Sequence, residues 1–181
     1  ALTLARAAAL VIAAALSLGG LSGETRAQDG ATESGWRTVT TGMRHFTGLT
    51  CPDRVASLNR IHVLGSGVDR VAGCVYQGDD GTNAILRSHP VGTSAEITRT
   101  FSKRYSEAGF ARLETTGASA AGVSFRTGRR GDGTRCETLW RFTAQTADYT
   151  LWMVYTLPSQ AESIGPMVTA FAEVMARTDA R

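Results

Sequence analysis

The stretch Tyr149-Thr150-Leu151-Trp152-Met153-Val154-Tyr155-Thr156-Leu157 limits the fold more than any other. It carries no charge and consists of aromatic, β-branched and aliphatic residues, which suit a pleated strand. Side chains alternate along a strand. Tyr149, Leu151, Met153, Tyr155 and Leu157 therefore share one face, and Thr150, Trp152, Val154 and Thr156 share the other. Large apolar groups on both faces place such a strand inside a sheet, with something packed over each side. The rest of the chain has to supply paired strands beside it and helices over it.

Upstream, Trp36–Thr41 has strand character and Met43–Thr50 continues as an extended stretch. Pro52 holds Cys51 away from helical angles. Asp53–Leu64 is compatible with a short helix or with an irregular loop. Val71–Tyr76 and Asn83–His89 read as a hairpin, with Gly and Asp in the turn between them. Thr93-Ser94-Ala95-Glu96 reads as a capping box, opening a helix to about Ala108 with Gly109 as its left-handed stop. Ile97, Phe101, Tyr105 and Ala108 form the inner stripe of that helix. Arg99, Lys103, Arg104 and Glu107 lie off it.

Four strands are predicted next: Phe110–Thr115, Gly122–Thr127, Thr134–Thr143 and Asp148–Leu157. The turns joining them are short, which favours an antiparallel meander. Ser159 with Glu162 offers a second capping box. Pro166 either kinks the final helix or marks the first turn of one capped at Gly165. Met167, Val168, Phe171, Val174 and Met175 supply its inner face, and it ends near Arg177. The expectation is an α+β fold, an antiparallel sheet of about six strands with two principal helices packed on it.

At 181 residues the chain is long enough to bury a core as one domain. Ala1–Ala27 reads as a secretory signal outside the fold. Arg6 provides the basic start, Ala7–Leu18 the apolar run, and Thr25-Arg26-Ala27 the cleavage region. The run is shorter than the ~20 residues that span a bilayer. Residues 28–35 read as a flexible leader, and 36–181 as a single α+β domain. The location expected is periplasmic or secreted. Contact with a membrane would come only through an uncleaved N-terminal segment. Net charge is +3, falling to +2 without Arg6, Arg26 and Glu24. Lys103 is the single lysine, and the arginines are spread along the chain rather than clustered. That distribution argues against nucleic acid as a partner. Arg129-Arg130, in the Gly-rich turn Gly128–Gly133, is the one local basic pair and the candidate partner contact.

An oxidising compartment favours one disulfide among Cys51, Cys74 and Cys136. Alternation puts Cys136 on the face of Thr138, Trp140 and Phe142, pointing into the core, where it can stay an inert thiol. The chosen pairing is Cys51–Cys74, with Cys74–Cys136 as its main rival. No Cys-x-x-Cys occurs, so a thioredoxin-like role has no support.

No catalytic constellation, metal set or cofactor motif stands out. His45, His62 and His89 are scattered, with none at i+3 or i+4 from another. Asp79-Asp80-Gly81 lacks the alternating acids of a calcium loop and reads as a turn. Ser66 lies in Gly65-Ser66-Gly67 with no strand before it, unlike a nucleophile elbow. Ser124 reads as an ordinary strand hydroxyl. Cys51 with His45 or His62 would make a Cys–His pair only if Cys51 stayed reduced. Gly128–Gly133 has the glycines of a phosphate cradle but no Lys-Ser/Thr and no helix after it. Trp140, Trp152, Tyr149 and Tyr155 are more suited to a core than to a pocket.

The order of hairpin, long helix, antiparallel meander and final helix, from Trp36 to Arg177, resembles the PsbP-like α/β/α sandwich of secreted and lipid-anchored bacterial proteins. The segments Gly48-Leu49-Thr50-Cys51-Pro52 and Gly73-Cys74-Val75-Tyr76 also look like those of small secreted bacterial proteins. The PsbP-like resemblance implies a non-catalytic binding or assembly role. It carries over no site residue, because no motif matches residue by residue. The function expected is thus a non-catalytic binding or assembly domain for an unknown protein or small ligand of the cell envelope. The alternatives are a hydrolase or other enzyme with a dispersed site, around His45, His62 or Asp53, and an envelope protein tethered by its N-terminal helix.

Overall fold

The structure, a computed structural model, describes residues 35–67 and 71–179. The signal read at 1–27 and the leader at 28–35, Gly35 apart, lie outside the described residues. Three short strands, β1 (Trp36–Val39), β2 (Gly42–His45) and β3 (Thr50–Pro52), form a small antiparallel sheet. Then come β4 (Arg54–Val55), β5 (Leu58–Leu64), β6 (Gly73–Gln77) and β7 (Asn83–His89). Helix α1 (Ser94–Glu107) leads to β8 (Ala111–Arg112) and a 3-10 turn at Gly117–Ala121. The chain continues through β9 (Val123–Arg130), β10 (Gly133–Thr143) and β11 (Asp148–Leu157), and closes with helix α2 (Ala161–Asp179). The main sheet runs β4-β5-β6-β7-β11-β10-β9-β8, with every pairing antiparallel.

The class is α+β as the sequence suggests, but the main sheet has eight strands rather than about six. The difference lies mostly in Asp53–Leu64, which is β4 and β5 and neither helix nor loop. Val55 and Leu58 are three apart, as on a helix, yet they face each other across a tight hairpin. Ala56 makes that hairpin with φ of 50°, a conformation costly for a non-glycine residue. A bulge between Arg60 and His62 then breaks the alternation of β5 and leaves Ile61 57% exposed.

β11 lies inside the sheet, paired with β7 on one side and β10 on the other. Its Tyr149, Leu151, Met153 and Tyr155 meet α2, whose Ile164, Met167, Phe171, Val174 and Met175 are buried in the same core. Tyr76 of β6 stands edge-on to Phe171, with ring centroids 5.3 Å apart. Pro166 sits inside α2, not at its first turn, and Gly165 is no cap. The second capping box does not form either, because the Ser159 hydroxyl donates to the Thr156 carbonyl. Gln160 anchors the start of α2 instead. Its Oε1 accepts from the Thr156 N–H at 2.5 Å, and its Nε2 donates to Thr82 at 2.9 Å.

Cys51 of β3 and Cys74 of β6 form a disulfide pair with Cα atoms 5.9 Å apart, and Cys136 is a buried free thiol. The pair joins the small sheet to the large one. Two hydrogen bonds run in parallel with it: Trp36 Nε1 to the Leu64 carbonyl and the Tyr76 hydroxyl to the Pro52 carbonyl, both 3.0 Å.

Candidate functional site

The second face of the main sheet is covered differently. Thr150, Trp152 and Val154 of β11 share it with Ile85, Arg87 and His89 of β7 and with Glu137 and Leu139 of β10, since these residues face one another in the ladder. Helix α1 lies over this face, chiefly above β10. Its Phe101 and Tyr105 pack on Phe125 of β9, with ring centroids 5.9 and 5.2 Å away. Toward β7 the helix stands off. Ile97, Phe101 and Tyr105 are only half-buried, and Ser94 is the one buried residue of α1. The expected stripe is present as far as Tyr105, but Ala108 is exposed.

The gap is a groove of about 440 Å³ between α1 and the β7–β11 floor. That volume lies within the range of sites for small organic ligands. The apolar part is Ile85, Leu139 and Trp152 below, with Ile97 and Phe101 above. The polar part gathers at the β7 end, where Arg87, His89 and Thr150 line the floor. Arg87 and Thr150 are ladder partners, and His89 Nε2 lies 2.7 Å from the Thr150 hydroxyl. The α1 wall adds Glu96 and Arg104.

Sequence-local chemistry did not build the start of α1. Thr93 adopts helical angles, so its side chain turns back and donates to the Pro90 carbonyl at 2.7 Å. The Ser94 N–H instead donates to Asp148 Oδ2 at 2.9 Å. A buried carboxylate 54 residues downstream thus caps the helix and fixes it to β11. Those hydrogen bonds hold Asp148 below the usual carboxylate range, against the opposing effect of burial. The far end of α1 follows the sequence more closely, with Gly109 left-handed at φ 82°. There the Tyr105 hydroxyl donates to Glu137. Burial and the Glu137 carboxylate push the Tyr105 phenol up. The buried Trp152 indole N–H has no acceptor in hydrogen-bonding geometry. The Tyr105 hydroxyl interacts with it, and its oxygen is free to accept while its proton goes to Glu137.

Charge in the groove is unbalanced. Glu96, its one acid, is held by Arg99 outside the groove. Arg87 is half-buried, and no carboxylate lies within salt-bridge distance of it among the described residues. It donates one hydrogen bond, from Nη1 to the Val71 carbonyl at 3.2 Å. Burial works against its charge. Burial also brings His89 down to about 4, the Arg87 charge adds to the effect, and Asp148 opposes it. His89 is therefore neutral at neutral pH.

The dispersed residues named from sequence do not meet at this groove. His45 is buried between Trp36 and Phe46, His62 is exposed on β5, and Asp53 pairs with Arg60 at 2.5 Å. His45 Nε2 lies 3.1 Å from the Ser66 hydroxyl. Its Nδ1 accepts from the Thr47 N–H at 3.3 Å, which places the ring proton on Nε2. In that tautomer the histidine donates to the Ser66 hydroxyl. Cys51 is in the bridge and unavailable to a Cys–His pair. No group of three or more His, Cys, Asp or Glu gathers as a metal site among the described residues.

Arg129 and Arg130 belong to β9 and not to a turn; the turn is Gly131-Asp132. Arg129 is exposed, while Arg130 Nη1 donates to the Asp80 carbonyl at 3.2 Å. The guanidinium lies so close over Gly81 that a Cβ there would meet Nη1 at 2.1 Å. Of the aromatics weighed for a pocket, Trp152 lines the groove, and Trp140, Tyr149 and Tyr155 are core.

Scans of this chain against family models, curated proteins and solved structures find no match.

Proposed function

We propose that the protein is an exported, non-catalytic binding domain that takes a small, largely apolar ligand into the groove between α1 and the sheet. The observation that carries this reading is the incomplete covering of one sheet face. Trp152, Ile85 and Ile97 stay partly open around about 440 Å³, while the opposite face is sealed by α2. An apolar concavity with a few polar groups at one end is what a small-molecule site presents. Export is supported by the apolar run after Arg6, and the Cys51–Cys74 pair is compatible with an oxidising compartment. No helix among the described residues is long and apolar enough to cross a membrane. The PsbP-like element order supports a binding or assembly role by analogy alone.

The test is titration of the purified protein with N-phenyl-1-naphthylamine, an uncharged dye that fluoresces in apolar surroundings. Saturable binding at one site is expected, weakened about tenfold in both Ile97→Gln and Ile85→Gln, because each removes roughly one buried aliphatic contact. Failure of the dye to saturate, or binding by both variants as tight as by the unaltered protein, defeats the reading.

A further inference from the structure

We infer that the ligand of the α1 groove is a monoanion, a carboxylate on an apolar body, with its charged end received by Arg87. This rests on the groove being a binding site, and it adds which chemistry the site selects. A guanidinium has five N–H donors in a planar fork, and Arg87 spends one of them on the Val71 carbonyl. Its charge is partly withdrawn from water with no carboxylate in reach among the described residues. Filling the groove with a neutral molecule would strip more water from Arg87 and leave the charge uncompensated, which is costly. A carboxylate would turn the same desolvation into a charge-assisted, two-pronged contact.

The surroundings favour the same sign. Arg104, on the α1 wall, has no ion pair among the described residues, whereas Glu96 is engaged by Arg99. A cationic ligand would face two arginines that have no ion pair among the described residues. Thr150, across the ladder from Arg87, places a hydroxyl beside the same end, and His89 next to it adds no competing charge. The body of the ligand would lie along Ile85, Trp152 and Ile97, away from the polar end. Arg87 is the one half-buried cation of the groove, Arg104 being exposed on the wall, and one half-buried cation matches a single negative charge.

The experiment is displacement of bound N-phenyl-1-naphthylamine by octanoate and by 1-octanol, which share a chain and differ in the charged end. Octanoate is expected to displace the dye about tenfold more tightly than octanol, the scale of one charged hydrogen-bonded contact. In Arg87→Met that advantage should vanish while octanol binds as before. Arg87→Lys, which keeps the charge without the fork, should retain part of it. Equal affinity of octanoate and octanol in the unaltered protein overturns the inference and needs no variant to fold. So does an unchanged preference in Arg87→Met. In both cases dye binding persists and the groove reading stands. Loss of dye binding in the unaltered protein removes both.

Discussion

His89 gives the sharpest test of how the groove floor is built. It is 9% exposed, with Arg87 two residues away on its own strand and Asp148 opposite it on β11. Glu96 and Arg104 face the same space from α1. Burial first, and the Arg87 charge second, lower its pKa from 6.5 to about 4. Between those values the unfolded chain binds a proton that the folded protein refuses, so stability is complete above the unfolded value and is lost as pH falls. Linkage places the loss between pH 7 and pH 5 at about 2 kcal/mol. Carboxylates contribute little to that window, since most are already ionised there. The assay is urea unfolding at pH 8, 7, 6 and 5 for the unaltered protein and for His89→Gln, whose amide can still meet the Thr150 hydroxyl. The difference between the two profiles isolates His89 from His45 and His62. The unaltered protein should fall about 2 kcal/mol further than the variant from pH 7 to pH 5. Parallel profiles would show that the ring titrates like an exposed imidazole, and the account of a dry floor under Arg87's field would fail.

Two further perturbations address how the groove is held. Asp148→Ala removes the only carboxylate on the Ser94 N–H and should lower stability by about 2 kcal/mol, a helix cap plus a buried unsatisfied donor. Asp148→Asn, which can still accept, should recover at least half. Urea unfolding gives both values, and a loss below about 0.5 kcal/mol for the alanine variant would mean that α1 is fixed by packing alone. Joint replacement Cys51→Ala and Cys74→Ala opens a loop with a sequence separation of 23. It should cost about 3 kcal/mol in the chain-entropy picture, with no such loss for Cys136→Ala beyond its packing.

The parts of this fold that the sequence made legible are those in which one local rule decides. β11 announced itself because both its faces carry large apolar groups and its polar atoms go to two neighbours. α2 is legible for the same reason, with its inner residues at helical spacing. The pairing of Cys51 with Cys74 followed from the exclusion of Cys136, whose face is core. β4 and β5 were hidden because a two-residue turn with a strained Ala56 and a bulge at Ile61 break the alternation that marks a strand. The capping box at Thr93 failed because Thr93 is itself in helical angles and its hydroxyl donates to the Pro90 carbonyl, while the cap comes from Asp148, far along the chain, on the Ser94 N–H. The groove was the least visible feature. Its floor joins Arg87 and His89 to Thr150, some sixty residues on, and only the β7–β11 register brings them together. The one local hint was parity, since Arg87 shares a strand face with Ile85 and His89, an odd place for a guanidinium in mid-sheet.

That oddity separates the two faces of the sheet in kind. Against α2, the inner side chains are buried and apolar, and the buried hydroxyls of Ser124, Thr138, Tyr155 and Ser119 satisfy one another in a chain of contacts between 2.7 and 3.0 Å. Such a face is settled by packing and polar satisfaction alone. Against α1, the same sheet keeps a half-buried cation with no carboxylate in salt-bridge reach among the described residues, beside a neutral imidazole. An aliphatic residue at 87 would remove the desolvated charge and let the helix settle closer, so packing by itself gives no reason for arginine there. Departures from local consistency are expected to concentrate where function requires them. On this sheet they concentrate around one opening, at the end of α1 that a carboxylate from β11 holds in place.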